Sequence, residues 1–255
     1  MAILPFNGDM CYKTEDGFNS NKNISALFNN LVNCMKLSKE MQKDLKDYRK
    51  SYEKGELKES DIPREPLELF QSWFQLADES ENVEEANAMN ISTVGKDMIP
   101  LSRIVLLKSF SKEGFTFFTN YDSQKGKAIS ENPQCCISFF WPSLEKQIII
   151  QGKVSKIPEK ESEEYFQSRP RGSQLGAKAS DQSSSIPSRE HLESKLNDLE
   201  EKYKEGEIPK PENWGGYIVK PFKFEFWQGR KSRLHDRILF SYISENNWKI
   251  ERLAP

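Results

Sequence analysis

Residues 227–237 read WQGRKSRLHDR. Four cations, Arg230, Lys231, Arg233 and Arg237, surround His235, one of only 2 histidines in the chain, and Trp227 opens the segment. Guanidinium groups bring fixed charge and forked donors to phosphate or carboxylate. An imidazole changes charge or donates a hydrogen bond near neutral pH. With a flat indole beside them, these are the groups that a site for an aromatic phosphate ester needs. A basic turn in water has the same composition, so the segment takes its meaning from the rest of the chain.

Three further clusters carry chemistry. In RIVLLK (103–108), Arg103 and Lys108 are an odd number of residues apart. On a strand they face opposite ways, so they serve different anions unless the strand is bulged. Two charges closing the ends of a buried strand is the plainer alternative. In YFQSRPRGSQLG (165–176), Tyr165 and Arg169 are four apart, on one face of a helix, and Ser173 follows in a turn. Two hydroxyls and a guanidinium at a helix end suit a phosphate; an arginine favouring the dipole at a helix C-terminus is the alternative. DQSSS (181–185) is a polar loop presenting amides and hydroxyls, a weak signal alone.

The elements that must hold these groups follow from periodicity. Pro66 starts a helix with Leu67, Phe70, Trp73 and Phe74 at helical spacing. From residue 88 the period shortens. Segments 88–95, 99–110 and 114–120 are β-rich runs separated by turn signals, the first two forming a hairpin. Residues 123–133 form a short helix stopped by Asn132-Pro133. Segments 134–141 and 146–157 are two strands whose short connection favours antiparallel pairing. A helix over 159–170 has acid in its first turn, and 173–187 is small and polar. Residues 188–206 form the clearest helix, capped by Ser188, striped by Leu192, Leu196, Leu199 and Tyr203, and ended by Gly206. Strands at 214–220, 223–229, 237–243 and 248–255 complete the chain, with Asn246-Asn247 turning the last hairpin.

Strands joined by short turns, with few helices between them, predict a mainly β, α+β protein: an antiparallel barrel with peripheral helices. There is no βαβ alternation, P-loop, GxSxG or HExxH pattern. The 255 residues suffice for a sizeable core. Residues 1–45 are rich in Asn, Lys and Ser and read as a partly disordered extension with one short helix. Residues 43–63 read, on composition, as a charged solvated arm. A net charge of −2 gives no global basic field for nucleic acid. No apolar run reaches the length of a membrane span, and the N-terminus reads as neither a secretory signal nor a transit peptide. The 4 cysteines form no CxxC pair, so no metal site is expected and a reducing cytoplasmic location is the simplest inference.

RIVLLK, FFTN, SQKGK, YFQSRPRGSQLGAKASDQSS, WGGY, EFWQG, RLHDR and the terminal ERLAP occur in that order. Together, from about Arg49 to Pro255, they closely resemble the pyridoxine/pyridoxamine 5'-phosphate oxidase family. The resemblance implies a split β-barrel, a homodimer with FMN at the subunit interface, and a reaction that makes pyridoxal 5'-phosphate. The substrates would be pyridoxamine 5'-phosphate and pyridoxine 5'-phosphate, with O2 reduced to hydrogen peroxide. By matching motif positions, Arg103, Ile104, Val105, Leu106, Phe118, Thr119, Lys125, Gln147, Gln182, Ser183, Trp227 and Arg237 would contact FMN. Lys108, Tyr165, Arg169 and Ser173 would hold the substrate phosphate. Arg233, Leu234 and His235 would meet the pyridine ring, with Arg233 and His235 as the catalytic pair. Arg49 and Tyr52 would belong to a lid arm over residues 46–63, ahead of an oxidase domain completing 46–255. One departure stands out: Gln124 occupies a position where the family usually has arginine. A non-catalytic FMN or pyridoxal-phosphate binder on the same fold is the runner-up, disfavoured because the substrate-side residues are all retained.

Overall fold

The computed structural model describes residues 44–255; the short helix expected within residues 1–45 lies almost wholly outside them. The chain divides into two compact units, 1–50 and 51–255. Of the first, residues 44–50 form a turn closed by the Tyr48 amide donating to the Leu45 carbonyl at 2.9 Å. The second unit holds nine strands and five α-helices among the described residues.

The strands are β1 (Ala88–Val94), β2 (Pro100–Leu106), β3 (Ser109–Ser111), β4 (Gly114–Asn120), β5 (Gln134–Trp141), β6 (Lys146–Lys156), β7 (Trp214–Gln228), β8 (Asp236–Ser244) and β9 (Asn247–Leu253). All pair antiparallel, in the order β2-β1-β5-β6-β7-β4-β3, with β8 and β9 added beside β7. The 15-residue β7 is the hub. One of its edges pairs with β6 along its length, while the other gives its first half to β4 and its second half to β8. That division of one edge between two partners splits the barrel. The sequence predicts two strands here because Pro221 interrupts the run. The structure keeps one, because a bulge opposite Gln151/Gly152 takes up an extra residue. Gly152 is needed at that bulge, since a Cβ would lie 2.7 Å from the Lys220 carbonyl oxygen.

The helices are α1 (Pro66–Asp78), α2 (Gln124–Glu131), α3 (Glu159–Ser168), α4 (Arg171–Ala179) and α5 (Arg189–Lys202). Helix α1 buries Leu69, Phe70, Trp73 and Ala77 against the barrel. Phe70 meets Phe110, Phe115 and Phe139 with ring centroids 4.9, 4.8 and 5.4 Å apart, and this aromatic knot is the centre of the main core. A second cluster, Phe166, Leu175, Ile208 and Trp214, lies beneath α3–α5. Ser188 caps α5, its Oγ accepting from the His191 amide at 3.3 Å. No described helix is long and apolar enough to cross a membrane.

Three local expectations are corrected. Residues 171–179 form α4 rather than a polar turn, so Ser173 sits in a helix. Its poor helix formers are offset by burial of Gln174, Leu175 and Ala179, and Gln174 Nε2 donates to the carbonyls of Phe166, Gln167 and Arg169. The run 99–110 breaks after Leu106, where the Leu107 amide bonds Asn87 and the Lys108 amide bonds Thr116, carrying the chain from β1 across to β4. The last hairpin turns at Glu245-Asn246, with Asn246 in the left-handed region (φ 55°) and Asn247 opening β9.

Candidate active site

A cavity of about 500 Å³ opens where β2 and β4 end and β7 begins. Ile104, Val105, Leu106 and Lys108 form one wall, Phe118, Thr119 and Asn120 another, and Lys125 the floor. Tyr165, Arg169, Ser173 and Gln182 close it from the helical side, with Trp214. The register explains the grouping: Phe118 pairs with Gly216 and Thr119 with Gly215. Neither glycine leaves room for a side chain; a Cβ would lie 2.1 Å from Tyr121 Oη at Gly215 and 2.4 Å from Ile157 Cδ1 at Gly216. Bare backbone there lets rings lie across the strand. Phe118 stacks on Tyr165 at 3.8 Å and on Trp214 at 5.5 Å. The Arg169 guanidinium covers Trp214 at 4.8 Å. Its NH1 is buried and has no hydrogen-bond partner.

Lys125 is only 6% exposed. The Ser123 cap starts α2, with its Oγ accepting from the Gly126 amide at 3.3 Å, and so aims Lys125 inward. Its Nζ donates to Thr119 Oγ1 at 3.1 Å, and to Ser123 Oγ and Gln182 Oε1 at 3.4 Å. These are neutral oxygens, and among the described residues no carboxylate pairs with this ammonium. Burial, aided by the nearby Arg103 charge, lowers its pKa to about 8. Arg103 donates from NH1 to Thr93 Oγ1 at 2.7 Å, and burial lowers its pKa also. It lines a neighbouring cavity with the exposed Gln124 rather than the main one. Arg103 and Lys108 thus serve different cavities, although the chain's step from β1 to β4 contributes as much as strand alternation.

A second group forms at the other end of β7. Gln147 on β6, Trp227 on β7 and Arg237 on β8 are directly opposed across three strands, so their side chains share a face. The loop between β7 and β8 brings His235 to 4.7 Å from Trp227, ring to ring. Tyr52 meets the two rings edge-on at 5.6 and 5.5 Å. The Arg230 amide donates to His235 Nδ1 at 3.1 Å, which places the neutral ring's proton on Nε2. Burial and then Arg233 hold the His235 pKa down, against a smaller opposite pull from Asp236. Ser232 and Arg233 are both left-handed, with φ 57° and 61°, and this backbone presents the exposed Arg233 and Leu234. Arg237 is engaged by Glu225 at 2.8 Å and by the Ala254 carbonyl at 2.7 Å.

The first group therefore gathers eleven of the residues singled out in the sequence, and the second gathers Tyr52, Gln147, Trp227, Arg233, Leu234, His235 and Arg237. Ser183 sits exposed in a turn (φ 73°) outside the cavity lining. Arg49 lies in the N-terminal unit, exposed, with Nε donating to the Lys46 carbonyl at 3.4 Å. Trp214 and Asn120 line the cavity without having been singled out; the WGGY motif was the available signal for Trp214. The two groups are separated by eleven residues of β7, Gly216 to Trp227, which is about 36 Å of strand at ~3.3 Å per residue. The cavity of the first group and the one lined by Tyr52 and Leu234 share no residue.

The fold and site define an antiparallel split-barrel protein with a cavity lined by Lys108, Lys125 and Arg169 at one end of β7 and an aromatic ledge carrying His235 at the other. Comparison with known proteins narrows the class. A family model described as pyridoxamine 5'-phosphate oxidase matches residues 77–203. A second, described as the pyridoxine 5'-phosphate oxidase C-terminal dimerisation region, matches residues 214–255. A pyridoxine/pyridoxamine 5'-phosphate oxidase of Christiangramia forsetii is 70% identical over 215 residues, 84% of this chain and 100% of that one. Another, of Flavobacterium psychrophilum, is 57% identical over 213 residues, again 84% of this chain and 100% of that one. Among solved structures, PhzG from Burkholderia lata 383, in complex with tetrahydrophenazine-1-carboxylic acid, superposes with a TM-score of 0.71 at 28% identity, covering 77% of this chain and 95% of that one. The chain belongs to the pyridoxine/pyridoxamine 5'-phosphate oxidase family.

Proposed function

We propose that this chain is an FMN-dependent oxidase that converts pyridoxamine 5'-phosphate and pyridoxine 5'-phosphate to pyridoxal 5'-phosphate, acting as a homodimer in the cytoplasm. The observation that carries the reading is a pair of uncompensated cations in one cavity, Lys125 and Arg169. A buried charge without a counter-charge is costly, and two such charges suit two phosphates, one of the cofactor and one of the substrate. Lys125, with Arg103 behind it, fits the FMN phosphate; Thr119 and Gln182 supply polar contacts there, and Ile104–Leu106 and Phe118 an apolar wall. Arg169, with Lys108, Tyr165 and Ser173, fits the phosphate of the substrate.

FMN, when bound, supplies a hydride acceptor for the substrate C4′ and passes the two electrons to O2, giving hydrogen peroxide. The chain's part is to hold C4′ in place, a proximity effect. Arg233 clamps the pyridine ring and Leu234 flanks it. His235 Nε2–H donates to a polar group of the substrate, and its fixed Nδ1 contact keeps that proton where it is. Trp227, Gln147 and Arg237 complete the flavin site from the second subunit, since one chain keeps the two half-sites at opposite ends of β7. Tyr52 belongs to the arm that covers the substrate.

The test is an absorption spectrum of the purified protein followed by anaerobic addition of pyridoxamine 5'-phosphate. The expected result is a flavin band near about 450 nm that bleaches and returns with air. A flavin band that stays oxidised would favour the non-catalytic binder and overturn the oxidase.

A further inference from the structure

Glu145 lies in the β5–β6 hairpin, 2% exposed and in the left-handed region at φ 56°. Glycine would suit that conformation better, so the glutamate side chain needs a reason to be there. The hairpin closes through its own backbone, Leu144 N–H to Trp141 O at 3.0 Å and Glu145 N–H to Pro142 O at 3.3 Å. The carboxylate instead reaches the arm: Oε2 accepts from the amides of Glu53 at 2.7 Å and Lys54 at 2.9 Å. The carbonyl of the same residue accepts from the Gly229 amide at 2.8 Å and Gln228 Nε2 at 3.1 Å. One residue thus ties together the arm bearing Tyr52 and the loop bearing Arg233 and His235.

The surroundings are shaped to the same end. Lys54 Nζ donates to the Ser143 carbonyl of the hairpin at 2.6 Å. A Cβ at Gly229 would come within 2.7 Å of Tyr52 Cδ1, so the loop is bare where the tyrosine ring crosses it. We infer that Glu145 is a positioning residue that holds Tyr52 over the Trp227–His235 ledge and so sets the affinity for substrate. This rests on the reading that Tyr52 covers the substrate.

The experiment uses FMN-saturated enzyme carrying Glu145→Ala, Glu145→Gln, Tyr52→Ala or the Glu145→Ala/Tyr52→Ala pair. Loss of two charge-assisted bonds predicts that Glu145→Ala raises KM for pyridoxamine 5'-phosphate about tenfold or more, with kcat and bound flavin little changed. Glu145→Gln, whose amide oxygen can accept from both arm amides, should retain the parent KM, and the pair should be no worse than Tyr52→Ala alone. An unchanged KM in Glu145→Ala, or effects that multiply in the pair, would overturn the inference. If Glu145→Ala does not fold, Lys54→Pro removes one arm amide and the Ser143 contact while sparing the hairpin; the same KM rise is expected, and an unchanged KM is fatal. Amide exchange at Glu53 and Lys54 reads the latch without turnover: faster in Glu145→Ala and unchanged in Glu145→Gln supports it, and equal protection in both overturns it. A parent enzyme that fails to bleach with substrate removes the oxidase reading, a result distinct from any of these.

Discussion

The Arg169 guanidinium lies over the Trp214 indole at 4.8 Å and keeps a buried NH1 with no hydrogen-bond partner. The ring fixes the plane of the guanidinium, and the free N–H is the donor that the proposed substrate phosphate would take up. Lysine cannot reproduce both the stacking and the forked donors. Arg169→Lys should therefore raise KM for the phosphorylated substrate on the order of ten- to a hundredfold, the worth of one charge-assisted bond, with FMN affinity unchanged. Steady-state kinetics beside an FMN titration separates the two.

Lys125 gives a pH signature. With its folded pKa lowered to about 8 from 10.5, the unfolded chain binds more protons between those values. Its contribution to apo-protein stability is present above 10.5 and is lost as pH falls through about 8. A phosphate beside it raises that pKa, so FMN binding takes up a proton and weakens as pH rises above about 8. FMN fluorescence titrations at neutral and alkaline pH should show this in the parent and not in Lys125→Met. Equal slopes in the two would remove Lys125 from the flavin site.

Gln124 opens α2, exposed, in the cavity it shares with Arg103. By the resemblance at this position, the neutral amide takes the place of a cation near the proposed FMN phosphate. Gln124→Arg should tighten FMN, by up to roughly tenfold for one added charge-assisted contact on a solvent-facing edge. A dissociation constant that is unchanged or larger would show that the neutral amide costs no affinity.

His235 is held neutral by burial and by Arg233, with a pKa below its ordinary value. Protonation of Nδ1 would break its bond from the Arg230 amide. Because the folded pKa is depressed, this contribution to stability is present above the unfolded pKa and lost as pH falls through the folded one. The kcat/KM profile should carry an acid limb below about pH 6.5 that disappears in His235→Gln. A limb surviving in that variant assigns it to another group.

The arm yields a truncation test. Removing residues 1–44 should leave turnover largely intact, whereas removal through Tyr52 takes away the ring that meets Trp227 and His235 and should raise KM. Equal kinetics of the two shortened proteins would leave Tyr52 without a role in covering the substrate.

Much of this architecture was legible in the sequence because alternation and turn residues act locally. The hairpins β1–β2 and β5–β6, the Ser188 cap and the apolar face of α1 all follow from neighbours within a few residues. Helix α4 was not legible, because Gly172, Ser173 and Gly176 are poor helix formers and the compensation comes from Gln174 binding carbonyls of the preceding segment. Pro221 concealed the continuity of β7, which depends on a bulge opposite a distant glycine. The motif residues were found by type and order. Their sorting into two ends of one strand was not, since it depends on which halves of β7 meet β4 and β8. Glu145 escaped notice because a lone glutamate in a hairpin carries no sequence signal; only the arm amides at its carboxylate reveal it.

The layout of β7 has a genetic consequence. In the proposed homodimer, each whole site draws its cavity from one chain and its ledge from the other. A chain crippled at Lys125 and a chain crippled at Trp227 would each be inactive when paired with itself. Co-expressed, they would form mixed dimers in which both lesions fall on the same composite site and the other is left intact. Two dead alleles of this protein would thus complement each other, whereas two lesions confined to one end of the strand would not.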